Sequence, residues 1–193
     1  MKRTSLAITV LVILALGAVP AFAGAITYTE QATVSGSIGG VAFSGDVLTL
    51  TMVGDTTNVT DGGGFATIYA PVSFSISGVT GGIITDTTYV FDNQTFSPPA
   101  AGFAAGGSSI LDTFDNAFGS YDLTTAIGPI TNTPFINSGL GFDTTAGTLV
   151  IDSAGNSTFT ATTGAVGTPE PASLLLLGSG MLGLLGTLRR KTR

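Results

Sequence analysis

Between Arg3 and Arg189 the chain contains no lysine and no arginine, and nowhere in its 193 residues is there a cysteine, a histidine or a tryptophan. Each absence removes a class of chemistry. Without cysteine there are no disulfides, so any folded part is held by its own core. Without histidine and cysteine the common zinc sites cannot be assembled. Serine- and cysteine-hydrolase mechanisms lack the base that must stand beside the nucleophile. Without basic side chains nothing displaces counterions from a phosphate backbone, which excludes nucleic-acid binding.

What charge there is lies in separate places. The basic residues are Lys2 and Arg3 at the front and Arg189, Arg190, Lys191 and Arg193 at the back. Eleven of the twelve acidic residues, from Glu30 to Asp152, fall between Gly24 and Thr168, a segment with a formal charge of −11. With no basic partner nearby, separation on the surface is the expected way to tolerate these carboxylates. Roughly 140 residues suffice for one domain, since chains of about 150 bury ~70% of their unfolded surface.

The front end reads as a secretory signal over 1–23. Lys2 and Arg3 form a positive start, Leu6 to Ala18 an apolar run, and Ala21 and Ala23 the small residues that signal peptidase requires. Cleavage is expected between Ala23 and Gly24. The run, at ~1.5 Å per residue, makes a helix of only ~20 Å, short of a ~30 Å hydrocarbon core.

The back end has three parts over 169–193. Pro169, Glu170 and Pro171 give a stiff, extended stretch. Residues 172–188 are apolar and form a helix of about 25 Å, enough for one transmembrane span with slight thinning. Residues 189–193, with Arg189, Arg190, Lys191 and Arg193, hold the following end on the cytoplasmic side. A GxGxxG match at Gly178–Gly183 lies inside this span with no preceding strand, so it is not a dinucleotide site.

Pro169-Glu170-Pro171, the Leu/Gly-rich helix and Arg189-Arg190-Lys191 together resemble the PEP-CTERM sorting signal of exported bacterial proteins. The resemblance covers about 25 residues. It implies recognition of the Pro-Glu-Pro region by an exosortase, a membrane-embedded transpeptidase-like enzyme, in bacteria that make exopolysaccharide. The chain would then be that enzyme's substrate, anchored in the inner membrane by its tail before processing and at the cell surface or outside the cell afterwards.

The middle, 24–162, reads as all-β, with 163–168 as a linker. Apolar and polar residues alternate from Ile26 to Val53 around Gly39-Gly40, which predicts a hairpin. Similar alternation recurs over 65–76, 83–91, 119–130 and 148–162, separated by Gly, Asn, Asp and Pro. No stretch carries a helical period with a charged face. A β-sandwich or jelly-roll-like domain is the expected fold, between a signal-peptide helix and a transmembrane helix. Residues 96–109, with Pro98-Pro99 and Gly106-Gly107, lack a pattern and read as a loop. An outer-membrane barrel is disfavoured by the separate apolar tail.

Two carboxylates suffice for glycoside hydrolysis, and Asp112, Asp115 and Asp122 are the nearest cluster, but all stand among turn formers where Asp usually binds backbone. No catalytic residue and no cofactor is therefore expected. Calcium is the one cation for which ligands exist, with Asp112, Asp115 and Asp61 as the weak candidates. The expected role is non-enzymatic: a structural or interaction protein of an exopolysaccharide or biofilm matrix. The alternatives are a carbohydrate-binding module using Tyr28, Tyr69, Tyr89 or Tyr121, and a plain C-terminally anchored surface protein.

Overall fold

A computed structural model describes residues 24–164; the expected signal peptide and sorting tail lie outside the described residues. The alternating run at the start becomes β1 (Ala25–Ile38) and β2 (Val41–Asp55), two long antiparallel strands. Gly39 and Gly40 join them with φ of 57° and 81°, the pair of left-handed conformations that a tight two-residue hairpin turn needs. Gly45, also left-handed, is the extra residue where the register slips between Val34 and Ser35, a bulge that sharpens the twist.

The remaining strands are β3 (Thr60–Asp61), β4 (Phe65–Tyr69), β5 (Val72–Ile76), β6 (Thr80–Ile83), β7 (Thr88–Asn93) and β8 (Ala100–Ala105). After these come β9 (Ser108–Phe114), β10 (Ile127–Asn132), β11 (Pro134–Phe135), β12 (Gly141–Phe142) and β13 (Leu149–Thr163). Sheet A has the order β10-β13-β1-β2-β5-β6, with β12 also paired to β13; sheet B has the order β11-β9-β8-β7-β4-β3. All pairings are antiparallel. The expected all-β, two-sheet architecture is present. Among the described residues no helix is long and apolar enough to cross a membrane.

Alternation explains the core. Ile26, Tyr28, Val34, Leu48, Leu50 and Met52 point inward from sheet A, and Ile68, Val90, Phe103 and Leu111 meet them from sheet B. Phe159 stands at the centre, with the rings of Tyr28, Phe103, Phe118 and Tyr121 between 5.6 and 6.5 Å from its own. Burying a ring of this size is worth about 1.5–3 kcal/mol, so this cluster anchors one sheet on the other.

Three expectations change. Residues 96–109 are not one loop: 100–105 form β8, and Gly106-Gly107 turn the chain into β9. The Ala-Ala-Gly-Phe-Ala-Ala sequence shows no alternation because β8 is buried on both faces. The run 65–76 is two strands, β4 and β5, in different sheets. The run 119–130 holds only the start of β10; Asn116–Ser120 is a short 3₁₀ turn capped by Asp115.

Candidate functional site

Glu30, Asp92 and Asp112 are buried, contrary to the expectation of surface carboxylates, and the described residues contain no lysine or arginine to pair with them. Protonation replaces separation as the means of tolerance. Burial pushes Asp92 and Asp112 up to about 7 and Glu30 well above the usual carboxylate range.

Glu30 projects inward from β1, where Thr113 of β9 and Ser157 of β13 meet it. Thr113 Oγ1 is 2.7 Å from Glu30 Oε1 and 2.6 Å from Ser157 Oγ, which is 3.4 Å from the Asp112 carbonyl oxygen. With the carboxyl protonated, each hydroxyl can accept once and donate once along this line. The chain ties sheet A to sheet B through polar groups that fit only one register.

Asp92 faces inward at one end of the sandwich, and neither of its oxygens has a hydrogen-bond partner. The buried Tyr121 hydroxyl is likewise unpartnered, and burial raises its pKa. Gln94 donates past them to the Tyr121 carbonyl oxygen at 2.7 Å. Nearby, Tyr28 donates to the carbonyl of Leu123, a residue held at φ 63° with its side chain in the core.

Asp112 stands elsewhere, on the outer face of sheet B. Its row, read across the sheet, is Thr67, Phe91, Gly102, Asp112 and Phe135. A Cβ at Gly102 would come within 2.6 Å of Asp112 Oδ1, so the carboxyl lies over the glycine, between the Phe91 and Phe135 positions. That oxygen is buried and has no hydrogen-bond partner.

Around it the outer face is aromatic. Phe65 and Phe91 lie 5.9 Å apart between ring centres, Tyr69 and Tyr89 5.2 Å, Tyr89 and Phe91 6.3 Å, and Phe96 and Phe114 6.0 Å. Phe91, Ala100 and Ala104 are buried without belonging to the central core. The floor along β8 is made of Ala100, Gly102 and Ala104, and the rim rings of Phe65, Tyr69, Phe96 and Phe135 are exposed.

The weak calcium candidates are not gathered together. Asp61 accepts from the Gly63 and Gly64 amides, and Asp115 accepts from the Ala117 amide, which is ordinary turn chemistry. Asp112, expected among turn formers, is in a strand instead. Among the described residues no group of three or more acidic side chains is placed to hold a metal ion. Of the tyrosines considered for sugar stacking, Tyr28 and Tyr121 are corrected to core residues, whereas Tyr69 is 58% exposed and Tyr89 partly so.

Sequence reasoning missed Glu30 and Asp92. For Glu30 the alternation of β1, two residues after Tyr28, points inward but says nothing of its distant partners; for Asp92 the apolar Val90-Phe91 pair hides the inward face.

Gly24, on the expected mature side of the signal cleavage after Ala21 and Ala23, starts the described fold, and its carbonyl accepts from the Thr56 amide at 2.8 Å. Ala21, Ala23, Pro169, Glu170, Pro171 and the basic end lie outside the described residues. The family model of the PEP-CTERM protein-sorting motif matches residues 168–191, covering Pro169-Glu170-Pro171, the apolar stretch and Arg189-Arg190-Lys191. The motif implies export and a tail held in a membrane until an exosortase processes it. No curated protein and no solved structure matches the chain.

Proposed function

We propose that this is a non-enzymatic surface or matrix protein, delivered by its two terminal signals and acting through the all-β domain between them. The sorting motif at residues 168–191 carries this reading. Signal peptidase removes 1–23, exosortase cuts near Pro169 to Pro171, and the span at 172–188 holds the tail in the inner membrane between those events. The domain is then released to, or retained at, the cell surface, where its partners belong to an exopolysaccharide matrix.

The absence of histidine, cysteine and, in the mature part, lysine supports a role without catalysis. The acidic side chains fit that role: Asp46, Asp55, Asp61, Asp115 and Asp122 accept from backbone amides of nearby turns, and burial favours the neutral form of Glu30, Asp92 and Asp112.

Intact mass of the protein recovered from outside its native host tests the sorting reading. Trypsin has no site between Gly24 and Leu188, so the mature domain stays in one piece. A mass beginning at Gly24 and ending near Pro169 to Pro171 is expected. A mass that retains Arg193 would reduce the tail to an ordinary anchor.

Carbohydrate binding is the second reading, favoured by one observation: sheet B presents aromatic rings on its outer face, with Tyr69 and Phe135 exposed. Sugar rings offer an apolar face to such side chains.

A further inference from the structure

We infer that the outer face of sheet B is a binding site for a neutral polysaccharide, in which the aromatic rings stack on sugar rings and Asp112 accepts a sugar hydroxyl. This rests on the carbohydrate-binding reading and gives it a place and a ligand class.

The shape comes from side-chain size. From β4 across β7, β8 and β9 to β11 the sheet runs through four strand spacings, about 19 Å. Ala100, Gly102 and Ala104 lower the middle of this surface, and larger rings stand on both sides of it: Phe65, Tyr69, Tyr89 and Phe91 on one, Phe114 and Phe135 on the other. Rings carried by paired strands are held rigidly, which limits the entropy lost when a flexible polymer settles on them.

Asp112 distinguishes the occupant. Its Oδ1 is already buried without a donor, and a second copy of the chain, or an apolar peptide, would cover the rings without supplying one. A sugar brings apolar C–H faces for the rings and hydroxyl donors for that oxygen. Phe135, its cross-strand neighbour, is 46% exposed while Asp112 is buried, so sugar binding requires this ring to turn aside before a hydroxyl reaches Oδ1.

Charge narrows the class further. The described residues contain no lysine or arginine, so nothing there pairs with a uronate, sulfate or phosphate, while acidic residues abound. The ligand is therefore an uncharged glycan, and anionic polymers are repelled.

The domain Gly24–Gly164 is one compact unit containing every strand of both sheets, so it serves for the test. Native affinity electrophoresis is run in gels containing hydroxyethyl cellulose, galactomannan, dextran or, as the anionic comparison, alginate. The variants are Tyr69→Ala, Asp112→Ala and, on the opposite sheet, Thr29→Ala, each checked by thermal melting. Asp112→Ala removes a buried unpaired acid, so its melting temperature is expected to be unchanged or higher.

Retardation by at least one neutral polymer, none by alginate, roughly tenfold weaker binding in both Tyr69→Ala and Asp112→Ala, and no change in Thr29→Ala is the expected result. If a neutral polymer binds but all four proteins behave alike, this site is wrong and the carbohydrate-binding reading survives. Should no neutral polymer bind, both fall. Self-association that Tyr69→Ala abolishes, without glycan binding, would make the face an interface between copies and overturn the proposal.

Discussion

Sheet A turns threonine and serine outward, whereas sheet B turns aromatic rings outward. On sheet A, Thr27, Thr29 and Gln31 of β1 stand beside Thr162, Thr160 and Thr158 of β13, and beside Val53, Thr51 and Thr49 of β2. Their polar groups bind one another: Gln31 Nε2 donates to Thr49 Oγ1 at 2.9 Å, and Thr131 Oγ1 and Thr158 Oγ1 are 2.8 Å apart. On sheet B the equivalent rows carry Phe65, Tyr69, Tyr89 and Phe91. Every described aromatic residue outside the core lies on sheet B's outer face or its rim. One face pairs hydroxyls within itself and also exposes the aliphatic Val47, Val53 and Ile83. The other leaves apolar rings exposed and an acid unpartnered, the pattern expected of a surface that meets something else.

Titration of the buried acids should break the comparison most severely. Sheet B holds Asp92 and Asp112, and sheet A holds Glu30. A carboxyl raised by burial favours the fold while neutral: its stabilisation is complete below the unfolded value near 4 and is lost as pH rises through the folded value near 7. Asp112 should cost up to about 4 kcal/mol across that window, and Asp92 a smaller amount in the same direction. Glu30 extends the loss to higher pH. Asp55 and Asp122, held below the usual range by hydrogen bonds from Thr57 and Thr124, act with the opposite sign and lose their contribution as pH falls. Stability should therefore peak near pH 4–5. Urea unfolding between pH 4.5 and 8 measures it, and Asp92→Asn should flatten the profile. A stability that is level or rises across this range would contradict neutral burial.

Next in size is Gly102→Ala. The added Cβ would lie 2.5 Å from the Leu111 carbonyl oxygen and 2.6 Å from Asp112 Cα, backbone that cannot step aside cheaply. A loss of about 3 kcal/mol is expected, as for other overpacked sites. Its effect on unfolding should exceed that of any truncation on the outer face of sheet A; an equal effect would mean that the close seating of Asp112 over the glycine is not important.

Legibility in the sequence followed the same division. In sheet A, β1, β2 and β13 alternate over long stretches interrupted by bulges, because one face meets the core and the other meets water, so they were readable together with the Gly39-Gly40 turn. The centre of sheet B is buried on both faces. Its β8 therefore shows no period and reads as loop, and Phe91, beside Val90, hides which of the two faces the core. Asp61 and Asp115 behaved as turn residues because the backbone amides they accept from are local, two or three residues away. Asp112 and Glu30 depend on partners far along the chain, such as Thr113 and Ser157 for Glu30, and no local rule reports those. The sorting motif was legible because Pro169-Glu170-Pro171, the apolar stretch and the basic end are contiguous, and the family model matches it at residues 168–191.

Tyr69→Ala should have a moderate effect on stability. The ring is exposed, and it loses mainly its cross-strand contact with Tyr89, worth about 1 kcal/mol. A thermal melt showing a loss above roughly 3 kcal/mol would place Tyr69 in the structural core, as only large core truncations reach that range.

Thr29→Ala should have the smallest effect of all. The side chain points outward from β1 between Thr160 and Thr51 and makes no side-chain hydrogen bond of its own among the described residues. Surface substitutions of this kind usually change stability by no more than about 0.5 kcal/mol. The same substitution isolates what the sheet A face contributes to assembly. If the hydroxyl rows are only a solvated surface, Thr29→Ala leaves both melting temperature and recovery from the cell surface unchanged. A variant that melts normally but is no longer retained there would move the contact surface from the aromatic face to the hydroxyl face.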